Sequence, residues 1–198
     1  MAGRGNLREV RLWDPLLRGF HWLLALFVIL AWGLGKFGPD RMTLHFWCGY
    51  VVAGLLLFRL IWGFVGPRPA RFSHFLRGPS ALRAYLRGFF LREPSYWPGH
   101  NPVGALSVIA LLAALAAQVS TGLIADPDDF INVGPLAHYV SSATRSKAVG
   151  WHELGANIIL LLVLLHLAAI LYYRFWKGED LIRPMLHGRK VVRDDPEM

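Results

Sequence analysis

The residues from 151 to 176, WHELGANIILLLVLLHLAAILYYRFW, constrain this chain more than any other part of it. A run this apolar and this long crosses a bilayer as one helix, since about 20 residues suffice. Yet it contains two histidines, His152 and His166. Ionisable groups at membrane depth are costly and turn toward a bundle interior, where they find partners. The two lie 14 positions apart. At about 100° per residue they leave within roughly 40° of the same helix face, and at 1.5 Å rise they sit roughly 21 Å apart along the axis. Two readings follow. Each histidine hydrogen-bonds a neighbouring helix, or each offers its imidazole as a ligand. Two in register in an otherwise Leu/Ile/Val/Ala helix favour the second.

Of the 198 residues, 55% are hydrophobic and only 17% charged, too apolar for an ordinary soluble domain. Four runs are long enough to span, at about residues 16–37, 44–65, 103–124 and 151–176. The expectation is an all-α membrane protein, a single four-transmembrane-helix domain over residues 1–198 with no internal repeat. The first run has no small-residue cleavage site after it and holds a histidine, so it reads as a retained span. An even number of spans leaves both ends on one side.

The net charge of +8 serves topology better than nucleic-acid binding. Sixteen Lys and Arg residues, from Arg4 to Arg193, fall in or next to the N-terminal segment, the 66–100 loop and the C-terminal segment. Only four, Lys36, Arg41, Arg145 and Lys147, fall on the other side. The positive-inside rule puts the sixteen in the cytoplasm, N-in and C-in. Within the cytoplasmic loop 66–100, Pro79-Ser80 followed by ALRAYLRGFFLR reads as a basic amphipathic helix on the inner leaflet, drawn to anionic lipid.

Local signals fill in the elements. Asp14-Pro15 reads as an N-cap and first helical position. Gly38-Pro39-Asp40 reads as a tight outer turn, and Thr43 as the cap of the second span. Gln118, Ser120 and Thr121 read as interhelical hydrogen-bonders. Glu153 is placed near a helix N-terminus, where its charge suits the dipole. His74 and His100 read as solvated or interfacial, with His100-Asn101-Pro102 alternatively capping the third span. The outer loop 125–150, with Asp126, Asp128, Asp129 and His138, reads as solvated. The tail with His187 reads as polar and peripheral.

Sorting the in-span histidines by depth gives two pairs. His21 and His166 lie in the inner half, His45 and His152 in the outer half. Each pair joins the fourth span to a different neighbour. Zinc wants four ligands, or three and a water, in one place. Here imidazoles come two by two, with no Cys or acidic cluster to complete either pair. A low-spin haem iron wants two axial nitrogens on opposite sides of a flat apolar ring, which facing helices supply. With Cys48 the only cysteine and no Cys-x-x-Cys-His, any haem is held by coordination and packing alone. Gly49 and Gly155, each one turn from a histidine, leave room for a ring. Arg18 and Arg59 lie near the inner pair, and Arg41, Arg145 and Lys147 near the outer pair, as cations for haem propionates. Arg59 either snorkels to the headgroups or pairs with such a carboxylate.

The sequence resembles the bacterial cytochrome b561 family, including the b-type cytochrome subunits of nickel–iron hydrogenases. The resemblance rests on RGFHW at 18–22, LHFWCGY at 44–50, FRLIWGFVG at 58–66, GHNPVGALS at 99–107, WHELGAN at 151–157 and LLHLAAILYYR at 164–174. It implies a dihaem four-helix protein with His21, His45, His152 and His166 as axial ligands to two haem b groups. It implies electron exchange between a quinone pool and a redox partner, a periplasmic c-type cytochrome or an enzyme subunit, in the bacterial inner membrane. A self-sufficient superoxide:quinone oxidoreductase is the alternative, using the outer cations to attract an anion. A non-redox scaffold whose histidines only join helices is the third reading. Exposed small-residue faces would permit a homodimer.

Overall fold

A computed structural model describes residues 7–38, 41–97, 99–128 and 131–193. In chain order the elements are β1 (Leu7–Arg11), α1 (Pro15–Phe37), α2 (Met42–Val65), α3 (Phe72–Phe75), α4 (Pro79–Arg87), α5 (Pro102–Ile124), α6 (Ser142–Phe175), α7 (Ile182–His187) and β2 (Arg189–Arg193). Among the described residues, four helices are long and apolar enough to cross a membrane: α1, α2, α5 and α6. The chain is thus the helical membrane protein expected, with four spanning helices, and it adds one two-stranded ribbon that was not expected. Arg4, Pro39, Asp40 and Asp129, used above for charge, turn and loop, lie outside the described residues.

The helix starts follow capping chemistry. Asp14 Oδ1 accepts from the amides of Leu16 and Leu17, both at 3.0 Å, and Pro15 opens α1. Asn101 Oδ1 accepts from Gly104 N at 2.8 Å and Pro102 opens α5, so the cap of the third span is Asn101. Arg41 N donates to Gly38 O at 2.9 Å, closing a turn between α1 and α2.

Three expectations about helix ends change. Thr43 is inside α2, which starts at Met42, and does not cap it. Helix α6 starts at Ser142, well before the apolar run, with Ser141 Oγ accepting from Thr144 N. Glu153 therefore lies mid-helix, where the terminal dipole does not reach. The basic helix of the 66–100 loop is α4 alone; it stops at Arg87, and Gly88 follows as its C-cap.

The chain divides into two compact units. One, the span unit, comprises residues 20–59 and 109–164. Its helix surfaces carry exposed large side chains such as Ile29, Leu57 and Leu161, as a lipid-facing surface requires. Phe20 and Phe58 meet at 6.0 Å between ring centroids, and Cys48 and Val52 are buried.

The other, the terminal unit, comprises residues 7–19, 60–108 and 165–193. Here the tail is not peripheral. β2 pairs antiparallel with β1, Leu7 opposite Arg193 and Arg11 opposite Arg189, a ribbon that joins the two ends of the described chain. Short charged segments of five residues gave no alternating apolar pattern from which to foresee it. Gly188, at φ +81°, makes the turn between α7 and β2, and its carbonyl accepts from the amides of Leu12 and Trp13. Lys190 and Glu179 form a buried ion pair at 2.8 Å. Ser95 donates to the same carboxylate from both its amide and its hydroxyl. Burial opposes the Glu179 charge, but Lys190 and Ser95 outweigh it and hold its pKa below the ordinary value. Tyr85 of α4 bonds Tyr173, whose hydroxyl also accepts from Asn101 Nδ2. Lys177 Nζ donates to Gly88 O at 3.1 Å. The 66–100 loop is thus tied to the tail by polar groups at several points.

Candidate functional site

His45 and His152 come together in the span unit. Their ring centroids are 5.9 Å apart and the ring planes stand at 79°. His45 is in the first turn of α2; His152 is in the third turn of α6. Both are half-buried.

Each ring is held by a helix other than its own. His45 Nδ1 lies 2.8 Å from Ala31 O of α1. His152 Nδ1 lies 3.0 Å from Gln118 O and 3.3 Å from Thr121 Oγ1, both on α5. The Thr121 hydroxyl donates back to Ala117 O at 2.9 Å, which leaves its oxygen a lone pair for the ring N–H. Gln118 also donates from Nε2 to His152 O at 3.0 Å, a reciprocal tie between α5 and α6. A carbonyl acceptor requires a proton on Nδ1, and in the neutral ring the lone pair is then on Nε2. This is the usual state of a metal-bound imidazole, with one nitrogen fixed by an acceptor and the other on the metal.

The fit to a flat iron macrocycle can be tested on this geometry. Two imidazoles, each bound through Nε2 at about 2 Å from one metal, have centroids roughly 6 Å apart, and the observed 5.9 Å agrees. Among the described residues no group of three or more His, Cys, Asp or Glu could hold a metal ion, so a zinc-type set is lacking. The space beside Gly49 is open: a Cβ there would meet nothing within 4 Å. The site therefore offers two imidazoles at a separation that one iron between them would fit, with open space at Gly49 one turn from His45.

Gly155 has a different occupant from the one expected. A Cβ there would collide with the Gln118 side-chain oxygen, so this glycine admits Gln118. The glycines that border the imidazoles are Gly35 and Gly122, one per neighbouring helix. Sequence spacing did not single them out, because which helix faces which is a tertiary fact. The only signal was polar Gln118 and Thr121 at i, i+3 in an apolar span.

His21 is also in the span unit, half-buried, with its ring edge-on to Trp22 at 5.1 Å. His166 lies on α6 in the terminal unit, half-buried. Arg59 is only 3% exposed, enclosed by protein rather than extended along a lipid-facing surface. Arg18 directs Nη1 to Leu186 O, committing part of its fork to the end of α7. Arg145 pairs with Asp126 at 3.0 Å, so neither residue is simply solvated. His100, read above as solvated or interfacial, is half-buried and packs against Trp13 and Phe75, at 4.8 and 5.0 Å between centroids.

A family model described as prokaryotic cytochrome b561 matches residues 12–188. The chain is 25% identical to an Azotobacter chroococcum mcd 1 protein named "Probable Ni/Fe-hydrogenase B-type cytochrome subunit", over 94% of this chain and 90% of the relative. An Escherichia coli K12 protein named "Probable Ni/Fe-hydrogenase 1 B-type cytochrome subunit" is 23% identical over 92% and 91%. A Rhodobacter capsulatus protein, "Probable Ni/Fe-hydrogenase B-type cytochrome subunit", is 23% identical over 98% and 88%. No solved structure gives a significant match. Four apolar helices and a family match over nearly the whole length lead to one assignment: this chain belongs to the prokaryotic cytochrome b561 family and transfers electrons in a membrane through haem b.

Proposed function

We propose that the chain is one dihaem domain that carries electrons across the bacterial inner membrane, with His45 and His152 as axial ligands of one haem b and His21 and His166 of the other. The observation that carries the reading is the opposed pair His45 and His152, each with Nδ1 fixed by a backbone carbonyl. Haem b, when bound, supplies a one-electron couple at its iron. What the chain supplies is orientation and dielectric. Ala31 O holds the His45 ring; Gln118 O and Thr121 Oγ1 hold His152. Each contact favours the tautomer with its proton on Nδ1, which leaves the other ring nitrogen to a metal. The fourteen-residue spacing on the unbroken helix α6 supports a second layer at His166, roughly 21 Å along the axis. Burial of Arg59 supports a cation for a cofactor carboxylate in that layer.

The partners we propose are a membrane quinone at one end and an oxidoreductase subunit or a c-type cytochrome at the other. Relatives named as hydrogenase b-type cytochrome subunits favour the enzyme subunit. The charge bias supports N-in and C-in, with α4 on the inner leaflet. The superoxide reading needs free outer cations, and Arg145 is already paired with Asp126. A homodimer through small-residue faces is compatible with the exposed span surfaces.

Pyridine haemochrome counting on the purified chain tests this. Two haems per chain are expected, falling to one in His152→Ala, with the other low-spin spectrum retained. A wild-type count of one or none, or an unchanged count in His152→Ala and His45→Ala, would refute the assignment.

A further inference from the structure

We infer that Gly122 and Thr121 of α5, with Gly35 of α1, are positioning residues that set the angle between the His45 and His152 rings. The inference rests on the axial role proposed above for those two histidines. Clearance is the first constraint. A Cβ at Gly122 would stand 2.8 Å from His152 Cε1 and 3.2 Å from its Nδ1, closer than carbon atoms tolerate. A Cβ at Gly35 would stand 3.1 Å from both Cε1 and Nδ1 of His45, a tighter contact than most but one the ring can relieve by a small shift. Each glycine thus lets an imidazole lie against the surface of a neighbouring helix, where a backbone carbonyl can reach Nδ1.

The glycine and the acceptor work as a unit on each helix. On α1, Ala31 O lies one turn before Gly35; on α5, Gln118 O lies one turn before Gly122. The same offset of four residues recurs on two helices that otherwise differ in sequence. A carbonyl at i and a glycine without a side chain at i+4 form a notch on one helix face. The ring enters edge-first, its N–H on the carbonyl and its Cε1 over the glycine. Since α1 orients one ring and α5 the other, the planes are fixed independently, and they come out 79° apart. The notches are unequal. Thr121 gives His152 a second acceptor, at 3.3 Å, where among the described residues His45 has Ala31 O alone. Hydrogen bonding to Nδ1–H increases the basicity of the ligating nitrogen and favours the oxidised metal.

The test reads the full chain in detergent or lipid by electron paramagnetic resonance and redox titration. Near-perpendicular axial imidazoles give a strongly anisotropic low-spin ferric signal, and the signal moves when the planes rotate. Gly122→Ala is expected to shift or abolish one of the two low-spin signals and leave the other in place. Gly35→Ala is expected to do the same more weakly. Thr121→Val keeps the side-chain shape and both haems, raises the midpoint potential of one haem only, and Thr121→Ser restores it. Should Gly122→Ala fail to accumulate, Thr121→Val decides alone. Two haems with wild-type signals and potentials in the variants would overturn the inference and leave the dihaem reading intact. A wild-type chain without a bis-histidine haem would overturn the reading itself.

Discussion

The two units use their polar groups for opposite ends. In the span unit the polar groups inside the helices converge on two rings: Gln118 and Thr121 on His152, and a bare carbonyl of Ala31 on His45. In the terminal unit they tie chain to chain: Glu179 to Lys190 and Ser95, Tyr85 to Tyr173, Arg18 to Leu186, Lys177 to Gly88. The reason lies in the solvent each meets. Lipid offers no hydrogen bonds, so a span that must hold an imidazole needs a protein acceptor for its N–H. The terminal unit joins loops and short segments to the ends of the helices, and directional bonds between those separate segments fix its geometry. The first set should respond to mutation in the spectrum, the second in stability.

Lys190→Met should test that division most severely. It leaves the Glu179 carboxylate buried without its cation, and breaking one side of a buried pair typically costs about 3–5 kcal/mol. Earlier unfolding of the terminal unit, read by limited proteolysis of the C-terminal segment, is the expected result, with haem content retained. The double variant Glu179→Leu with Lys190→Met should recover much of the loss, since apolar packing can replace such a pair. Acid offers the same test without mutation. A carboxylate whose folded pKa is lowered contributes stability above its unfolded value, and loses it as pH falls through the folded pKa. Glu179 is such a group. Protection of the tail should therefore persist down through the ordinary carboxylate range and fail only below it. Opening above that range would show that the ion pair does not hold the layer.

Asp14→Ala should have a smaller effect. It removes the acceptor for the Leu16 and Leu17 amides and for Trp62 Nε1 at 3.3 Å. An N-cap of this kind is worth about 1 kcal/mol. The start of α1 should fray, seen as faster amide exchange at residues 16–18, while the haem spectrum stays unchanged.

How far the chain could be read in advance follows the same division. That His45 and His152 would come together was legible because helix periodicity and depth are properties of the sequence alone. So were the Asp14 and Asn101 caps, since their chemistry is local. Gly35 and Gly122 were not, because a notch matters only once a neighbouring helix presents a ring to it. The early start of α6 was missed for another reason. Hydropathy marks where a helix leaves lipid, and SATRSKAVG continues the helix beyond that point, with Ala143, Arg145, Lys147 and Ala148 as good helix formers among polar neighbours. The terminal ribbon and the Glu179–Lys190 pair depend on pairing between distant segments, which no local pattern encodes.

The smallest expected effect gives the sharpest contrast. Tyr85→Phe removes one hydroxyl from the terminal unit, as Thr121→Val does from the span unit. Burial raises the Tyr85 pKa, with Glu179 and Tyr172 adding to it, so the phenol stays protonated at neutral pH and can donate. Its partner Tyr173 keeps the Asn101 Nδ2 donor at 2.8 Å, and a Phe ring would keep the contacts with Trp97 and Phe89. Only one of two bonds is lost, about 0.5–1.5 kcal/mol. Thermal inactivation should shift slightly and the haem potential not at all. Thr121→Val should do the reverse, because Thr121 acts on an imidazole nitrogen and Tyr85 on another hydroxyl. Equal spectral effects from the two variants would mean that the division between the units is only apparent, and that His152 senses the packing of the whole protein rather than its own notch.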